Sequence, residues 1–189
     1  MLKRGIQLIT LASCIAFVSA CTSVLNSNPI NDNKGSRSLG TLYNDQLIET
    51  STVDAILRAS PFLATANVSA VSVNGIVLLT GQVPSLGTKI IAGDKARGIT
   101  NARKVHNELL VSGAASYIVR TNDTLITAKV KARMVGETAF PAGRIKVITE
   151  NGVVYLMGLV TRAEADWAVR VASNASGIQR IVKVFEYID

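Results

Sequence analysis
The stretch Glu150-Asn151-Gly152-Val153-Val154-Tyr155-Leu156-Met157-Gly158-Leu159-Val160 decides the fold, because the chain has already used it once. Val73-Asn74-Gly75-Ile76-Val77-Leu78-Leu79-Thr80-Gly81-Gln82-Val83 lines up with it, Asn74 and Asn151 standing 77 residues apart. Further on, Val105 and Ile181 correspond at a spacing of 76. A repeat of that length is a duplicated compact domain. In each copy Asn-Gly sits between two β-rich runs. A type I′ turn demands positive φ at both central residues, so the pair predicts a hairpin in each copy.

Working outward through the second copy gives the rest of the module. Ile126, Val130 and Met134 recur at i, i+4 and i+8 and predict a helix ahead of the hairpin, with Asn122 or Asp123 as its N-cap. Ile145 and Val147 alternate along Arg144 to Thr149 as one face of a half-buried strand. After the hairpin, Ala168, Val171, Ala172 and Ala175 make one helical stripe, and Gly177 suits a helix C′ position. Ile181 to Tyr187 forms the last strand. The predicted fold class is α+β: two tandem domains, each α-β-β-α-β. Each would have a three-stranded mixed sheet covered on one face by two helices.

The N-terminus says where these domains reside. Lys3 and Arg4 precede an uncharged apolar run, Gly5 to Phe17, and Val18-Ser19-Ala20-Cys21 supplies a small-residue cleavage site. That is a signal peptide ending at a lipidation cysteine, Cys21. Leu11-Ala12-Ser13-Cys14 fits the same short pattern, but its apolar run is very short and cleavage there would leave Ile15 to Val18 exposed. Acyl chains on Cys21, at about 0.8 kcal/mol per buried methylene, would anchor the protein durably. Thr22 stands where aspartate would favour inner-membrane retention, so outer-membrane delivery is expected. Residues 22 to 43, rich in Ser, Asn, Gly and Thr, read as a tether. The expected organisation is a signal peptide over 1–20, lipidated Cys and tether over 21–43, and domains over 44–112 and 121–189.

Composition excludes several function classes. Loss of residues 1 to 20 takes two positive charges from a formal net +7 and leaves +5. His106 is the only histidine, and Cys21 would carry lipid. Zinc sites, His-based triads and disulfides are therefore nearly excluded by inventory, and no catalytic residue, metal or cofactor is expected. No second stretch approaches the 18 apolar residues of a membrane span. Nucleic-acid binding, suggested by a pI near 9.7, fails for want of an Arg-rich stripe with interleaved aromatics.

Asn-Gly-x-Val-x-Leu-x-Gly-x-Val, then an Ala-rich helix, then Gly177-Ile178-Gln179-Arg180-Ile181, resembles the BON domain. Arg37-Ser38-Leu39-Gly40-Thr41 and Asn122-Asp123-Thr124-Leu125-Ile126-Thr127 fit the pattern of family members that carry two such domains behind a lipoprotein signal. The resemblance covers essentially everything after the tether. It implies an outer-membrane lipoprotein on the periplasmic face that binds anionic phospholipid, phosphatidylglycerol or cardiolipin, through its second domain. It further implies a part in envelope integrity and in localisation to division sites. Relatives carry tryptophan after Asn-Asp-Thr where this chain has Leu125, which implies weaker interfacial binding here.

The residues offer a surface for that role. With Leu125 at zero on a 100° wheel, Ile126, Val130 and Met134 fall at roughly 100° to 180° and form the core stripe. Leu125, Ala128, Ala132 and Val135 fall at roughly 280° to 360°, a second apolar face flanked by Lys129 and Lys131. An apolar strip edged by lysine suits an anionic membrane interface. The same strip would equally serve to pack on the other domain or on a protein partner, such as outer-membrane assembly proteins or a secretion complex. In the first copy, Glu49, Asp54 and only Arg58 on the opening helix predict repulsion from anionic lipid. Trp167 is expected to be partly buried and His106 exposed on a strand. Tyr155 and Met157 are expected on a lightly covered sheet face able to dock partners. Asp94 with Lys95, and Glu164 with Arg162, read as ordinary helix-surface charges.

Overall fold
A computed structural model describes residues 35–189; the signal-peptide and Cys21 readings lie outside the described residues. The first copy opens with α1 (Leu39–Leu57) and a single turn, α2 (Pro61–Ala64). The hairpin β1 (Asn67–Val73) and β2 (Ile76–Val83), α3 (Leu86–Arg97), β3 (Lys104–Asn107) and a short β4 (Leu110–Val111) follow. The second copy comprises α4 (Tyr117–Gly136), the hairpin β5 (Ile145–Glu150) and β6 (Val153–Val160), α5 (Arg162–Ser173) and β7 (Arg180–Tyr187). Both sheets are mixed, as expected: β2 pairs antiparallel with β1 and parallel with β3, and β6 pairs antiparallel with β5 and parallel with β7. The first sheet gains β4, which continues along β2 beyond a break after β3.

Each hairpin turns at its Asn-Gly pair with positive φ at both residues, 52° and 75° in the first copy and 48° and 72° in the second. Each copy then builds its own core between helices and sheet. Ile126, Val130, Met134, Ala168, Val171 and Ala172 meet Ile145, Val147, Val154 and Leu156 in the second. Ile48, Ile56, Ala92 and Ala96 meet Val77 and Leu79 in the first. Burial of each large aliphatic here contributes about 1.5–3 kcal/mol.

The outer faces of the two sheets are not open. Val73, Ile76 and Leu78 of the first copy form a third buried cluster with Tyr155, Met157 and Val184 of the second. The result is four layers, helices–sheet–sheet–helices, with the two helical faces outermost. The expectation that Tyr155 and Met157 form a docking surface is corrected: the companion sheet occupies it. Polar contacts frame the seam. Lys146 donates to Glu49 at 2.8 Å, Asn74 to Glu186 at 2.8 Å, and Arg103 pairs with Glu186 at 2.8 Å. His106, opposite Leu78 in the ladder, is half-buried rather than exposed, and burial lowers its pKa.

Local chemistry revises other details. The helix expected to start at Asn122 or Asp123 is capped by Ser116, whose side chain accepts from Val119 N. Likewise α1 is capped by Ser38, so Leu39 to Tyr43 are helical, not tether. Gly177 has φ of +95° but lies in the loop beyond the Asn174 cap of α5. Trp167 packs edge-on against Phe140, centroids 5.0 Å apart. Asp94 pairs with Arg97, and Glu164 closes the capping box of α5 and pairs with Arg144.

Candidate functional site
Helix α4 positions every side chain of the expected contact strip. Its core stripe, Ile126, Val130 and Met134, is buried in the second copy's core, which fixes the helix's rotation and turns the opposite flank outward. Leu125 is 54% and Val135 76% exposed, and Ala128, Lys129, Lys131 and Ala132 are exposed as well. Because the copies meet through their sheets, the strip is not sealed by the companion domain. Lys129 reaches Ser176 at 3.1 Å while remaining at the surface.

The helix begins earlier than its sequence pattern indicated, and the strip lengthens with it. Tyr117 and Ile118, 83% and 79% exposed, fall on the same side of the wheel as Leu125 and Val135. Twenty residues at 1.5 Å each make α4 about 30 Å long, and its exposed ridge is apolar apart from Thr121. These two residues were missed because the expected cap lay downstream of them. The available signal was Ser116, a favoured cap residue type just ahead of them.

The position of α4 over the hairpin depends on Asp123, which is not a cap. Its buried carboxylate accepts from Asn151 N and Gly152 N, both at 2.8 Å. Asp45 does the same in the first copy, accepting from Asn74 N and Gly75 N at 2.9 Å, from Ser72 Oγ at 2.7 Å and from Arg37 at 2.8 Å. Burial pushes the Asp45 pKa up, yet the bonds from Gly75, Ser72, Asn74 and Arg37 outweigh it and hold the carboxyl below its ordinary value. Each copy thus clasps its own turn to its own first helix.

The first copy's helix carries an exposed strip too. Leu39, Tyr43 and Leu47 on α1 are exposed, so two-faced character is not confined to the second copy. This strip lies on the opposite outer layer, with Glu49 and Asp54 on the same helix.

Among the described residues no helix is long and apolar enough to cross a membrane. No group of three or more His, Cys, Asp or Glu there is arranged to hold a metal ion.

Comparison with known proteins follows this geometry. The BON domain family description matches residues 44–113 and 122–189. The chain is 39% identical over 153 residues to the "Outer membrane lipoprotein DolP" of Haemophilus influenzae, covering 81% of this chain and 79% of that one. It is 31% identical over 152 residues to the "21 kDa hemolysin" of Actinobacillus pleuropneumoniae, covering 80% and 78%. It is 26% identical to the "Osmotically-inducible protein Y" of Escherichia coli, covering 95% and 93%.

Proposed function
The chain belongs to the BON domain family, with two copies of the domain, and from that premise we propose that it is an outer-membrane lipoprotein whose second copy binds anionic phospholipid. Cys21 supplies the anchor, and α4 lies against the headgroup layer with Leu125, Ala128, Ala132 and Val135 inserted and Lys129 and Lys131 at phosphate level. No bond is made or broken. The observation that carries the reading is the exposed apolar ridge of α4, left uncovered although the two copies are packed together. A relative named as an outer-membrane lipoprotein supports the compartment, and one named as osmotically inducible supports a role in envelope integrity. An anchored protein meets the second lipid contact at high effective concentration, so even weak insertion fixes its orientation and sorts it to lipid-distinct zones such as division sites.

The test uses the chain from residue 22, without acyl groups, and vesicles containing phosphatidylglycerol or cardiolipin at two salt concentrations. Binding weakened by salt and lost in Leu125→Asp is expected. Undiminished binding in that variant would remove α4 from the mechanism.

A second reading has its own observation. The exposed Leu39, Tyr43 and Leu47 of α1 face away from a membrane that α4 lies on, which suits a protein-binding scaffold for outer-membrane assembly or secretion machinery. Retained membrane binding with lost co-purification of envelope proteins in Tyr43→Asp supports this as an added role.

A further inference from the structure
The first copy holds a groove of about 400 Å³ between α1 and the loop joining α3 to β3, lined by Asn44, Leu47, Ser51, Ile99, Thr100 and Asn101. No residue lining it carries a charge. An amide pair forms one end. Asn101 Nδ2 donates to Asn44 Oδ1 at 2.9 Å, which leaves Asn44 Nδ2 as a donor and Asn101 Oδ1 as an acceptor. Ser51 and Thr100 add exposed hydroxyls, and neither hydroxyl is bonded to another group among the described residues. The exposed Leu47 and the partly buried Ile99 make an apolar floor. Tyr43, also exposed, stands one helical turn before Leu47 and prolongs that floor along α1.

The second copy closes the same place. Lys129 matches Ser51 at the spacing of 78 that separates Asp45 from Asp123, and Ser176 matches Thr100 at the 76 that separates Val105 from Ile181. Lys129 crosses from α4 to Ser176 at 3.1 Å, a gap that the short Ser51 leaves open. Gly177, with φ of +95°, matches Asn101, with φ of +68°. Glycine adopts a left-handed backbone most readily, and asparagine tolerates it better than most residues. The first copy therefore bears a conformational cost at Asn101 and has a side-chain amide in the groove where the second has none.

The lining decides the ligand class. An ion finds no countercharge there, and an acyl chain would strip water from two amides and two hydroxyls without replacing those bonds. A pyranose ring meets both demands. Its hydroxyls donate and accept around the rim, and its apolar C–H face packs on Leu47, Ile99 and the Tyr43 ring. An acetamido substituent presents a C=O to Asn44 Nδ2 or an N–H to Asn101 Oδ1, with a methyl for the apolar floor. A β-1,4 linkage keeps successive rings in an extended ribbon that can follow Leu47 and Tyr43 along α1.

We propose that this groove binds a glycan strand of β-1,4-linked N-acetylhexosamine rings, which makes the first copy a polysaccharide-binding module. With α4 on a membrane, the first copy's helices face away from it and the groove opens to the aqueous side. The binding itself does not depend on the α4 reading.

The test titrates chitotetraose, four such rings, into the chain from residue 22 and follows the backbone amide resonances. Saturable shifts confined to Asn44, Leu47, Ser51 and the 98–101 loop are expected. Asn101→Gly and, separately, Ser51→Lys each import the residue of the second copy, so the fold is kept, and thermal melts verify it. Each is expected to weaken binding at least fivefold, the net contribution of about one hydrogen bond. Cellotetraose, which has a hydroxyl in place of each acetamido group, is expected to bind at least fivefold more weakly than chitotetraose. Absence of saturable shifts in wild type overturns the proposal, as does binding that survives undiminished in both variants or an equal response to cellotetraose. Leu125→Asp is expected to leave the chitotetraose shifts unchanged; their loss there would place the contact on α4 and overturn the groove. Asn101→Gly is expected to keep wild-type binding to phosphatidylglycerol vesicles, so a failure of the glycan contact and a failure of the lipid contact are read separately.

Discussion
At the scale of single residues, the two buried aspartates do the most to hold helix and turn in register. Asp123→Ala leaves the amides of Asn151 and Gly152 without acceptors beneath α4. A hydrogen bond to a charged group contributes about 1.5–3 kcal/mol, and an orphaned buried donor costs a similar amount. A loss of about 3 kcal/mol in urea unfolding is expected, with a smaller loss for Asp123→Asn, which keeps an oxygen for one amide. Asp45 adds a pH signature. Its folded pKa lies below the ordinary value, so the stability it contributes is fully present above the unfolded carboxylate range. That contribution drains as pH falls through the folded pKa. Melting of Asp45→Asn between neutral and strongly acidic pH should therefore fall less steeply than wild type, from a lower starting point.

At the scale of elements, the periodic signals were legible and the capping signals misled. Ile126, Val130 and Met134 sit at helical spacing because one face meets a core, and Ile145 and Val147 alternate for the same reason, so both elements could be read directly. The true start of α4 could not be read that way. Tyr117 and Ile118 both point to solvent, so they add no amphipathic period, and Asp123 has the local propensity of a cap while tertiary contact gives it another task. The strip around Leu125 was legible as a second apolar face; its extension through Ile118 and Tyr117 was not. The strip carries a graded prediction. Each basic residue near an anionic surface adds about 1 kcal/mol, so Lys131→Gln should weaken binding to phosphatidylglycerol vesicles roughly fivefold at low salt. Because the interaction is screened, that difference should shrink as salt rises. Leu125→Trp, which adds an indole suited to the headgroup layer, should bind more tightly than wild type in the same titration.

At the scale of the whole molecule, the sheet-to-sheet seam decides whether two domains behave as two. The sequence reveals that Tyr155 and Met157 lie on an apolar face, but periodicity cannot say what covers it; the fold supplies Val73, Ile76 and Leu78 of the other copy. A seam whose central residues are as buried as the cores should couple the copies energetically. The chain's single tryptophan, Trp167, reports on the second copy alone through its contact with Phe140. Leu78 belongs to the first copy, is fully buried, and faces the seam. Leu78→Ala leaves the Trp167 surroundings untouched, and a buried Leu→Ala change costs about 2–5 kcal/mol. If the copies fold as one cooperative unit, the Trp167 fluorescence melt must move down with the far-ultraviolet circular dichroism melt, and the two must coincide in wild type and variant. A Trp167 transition that stays in place while the dichroism signal splits in two would mean that the seam contributes little and that each copy stands on its own core.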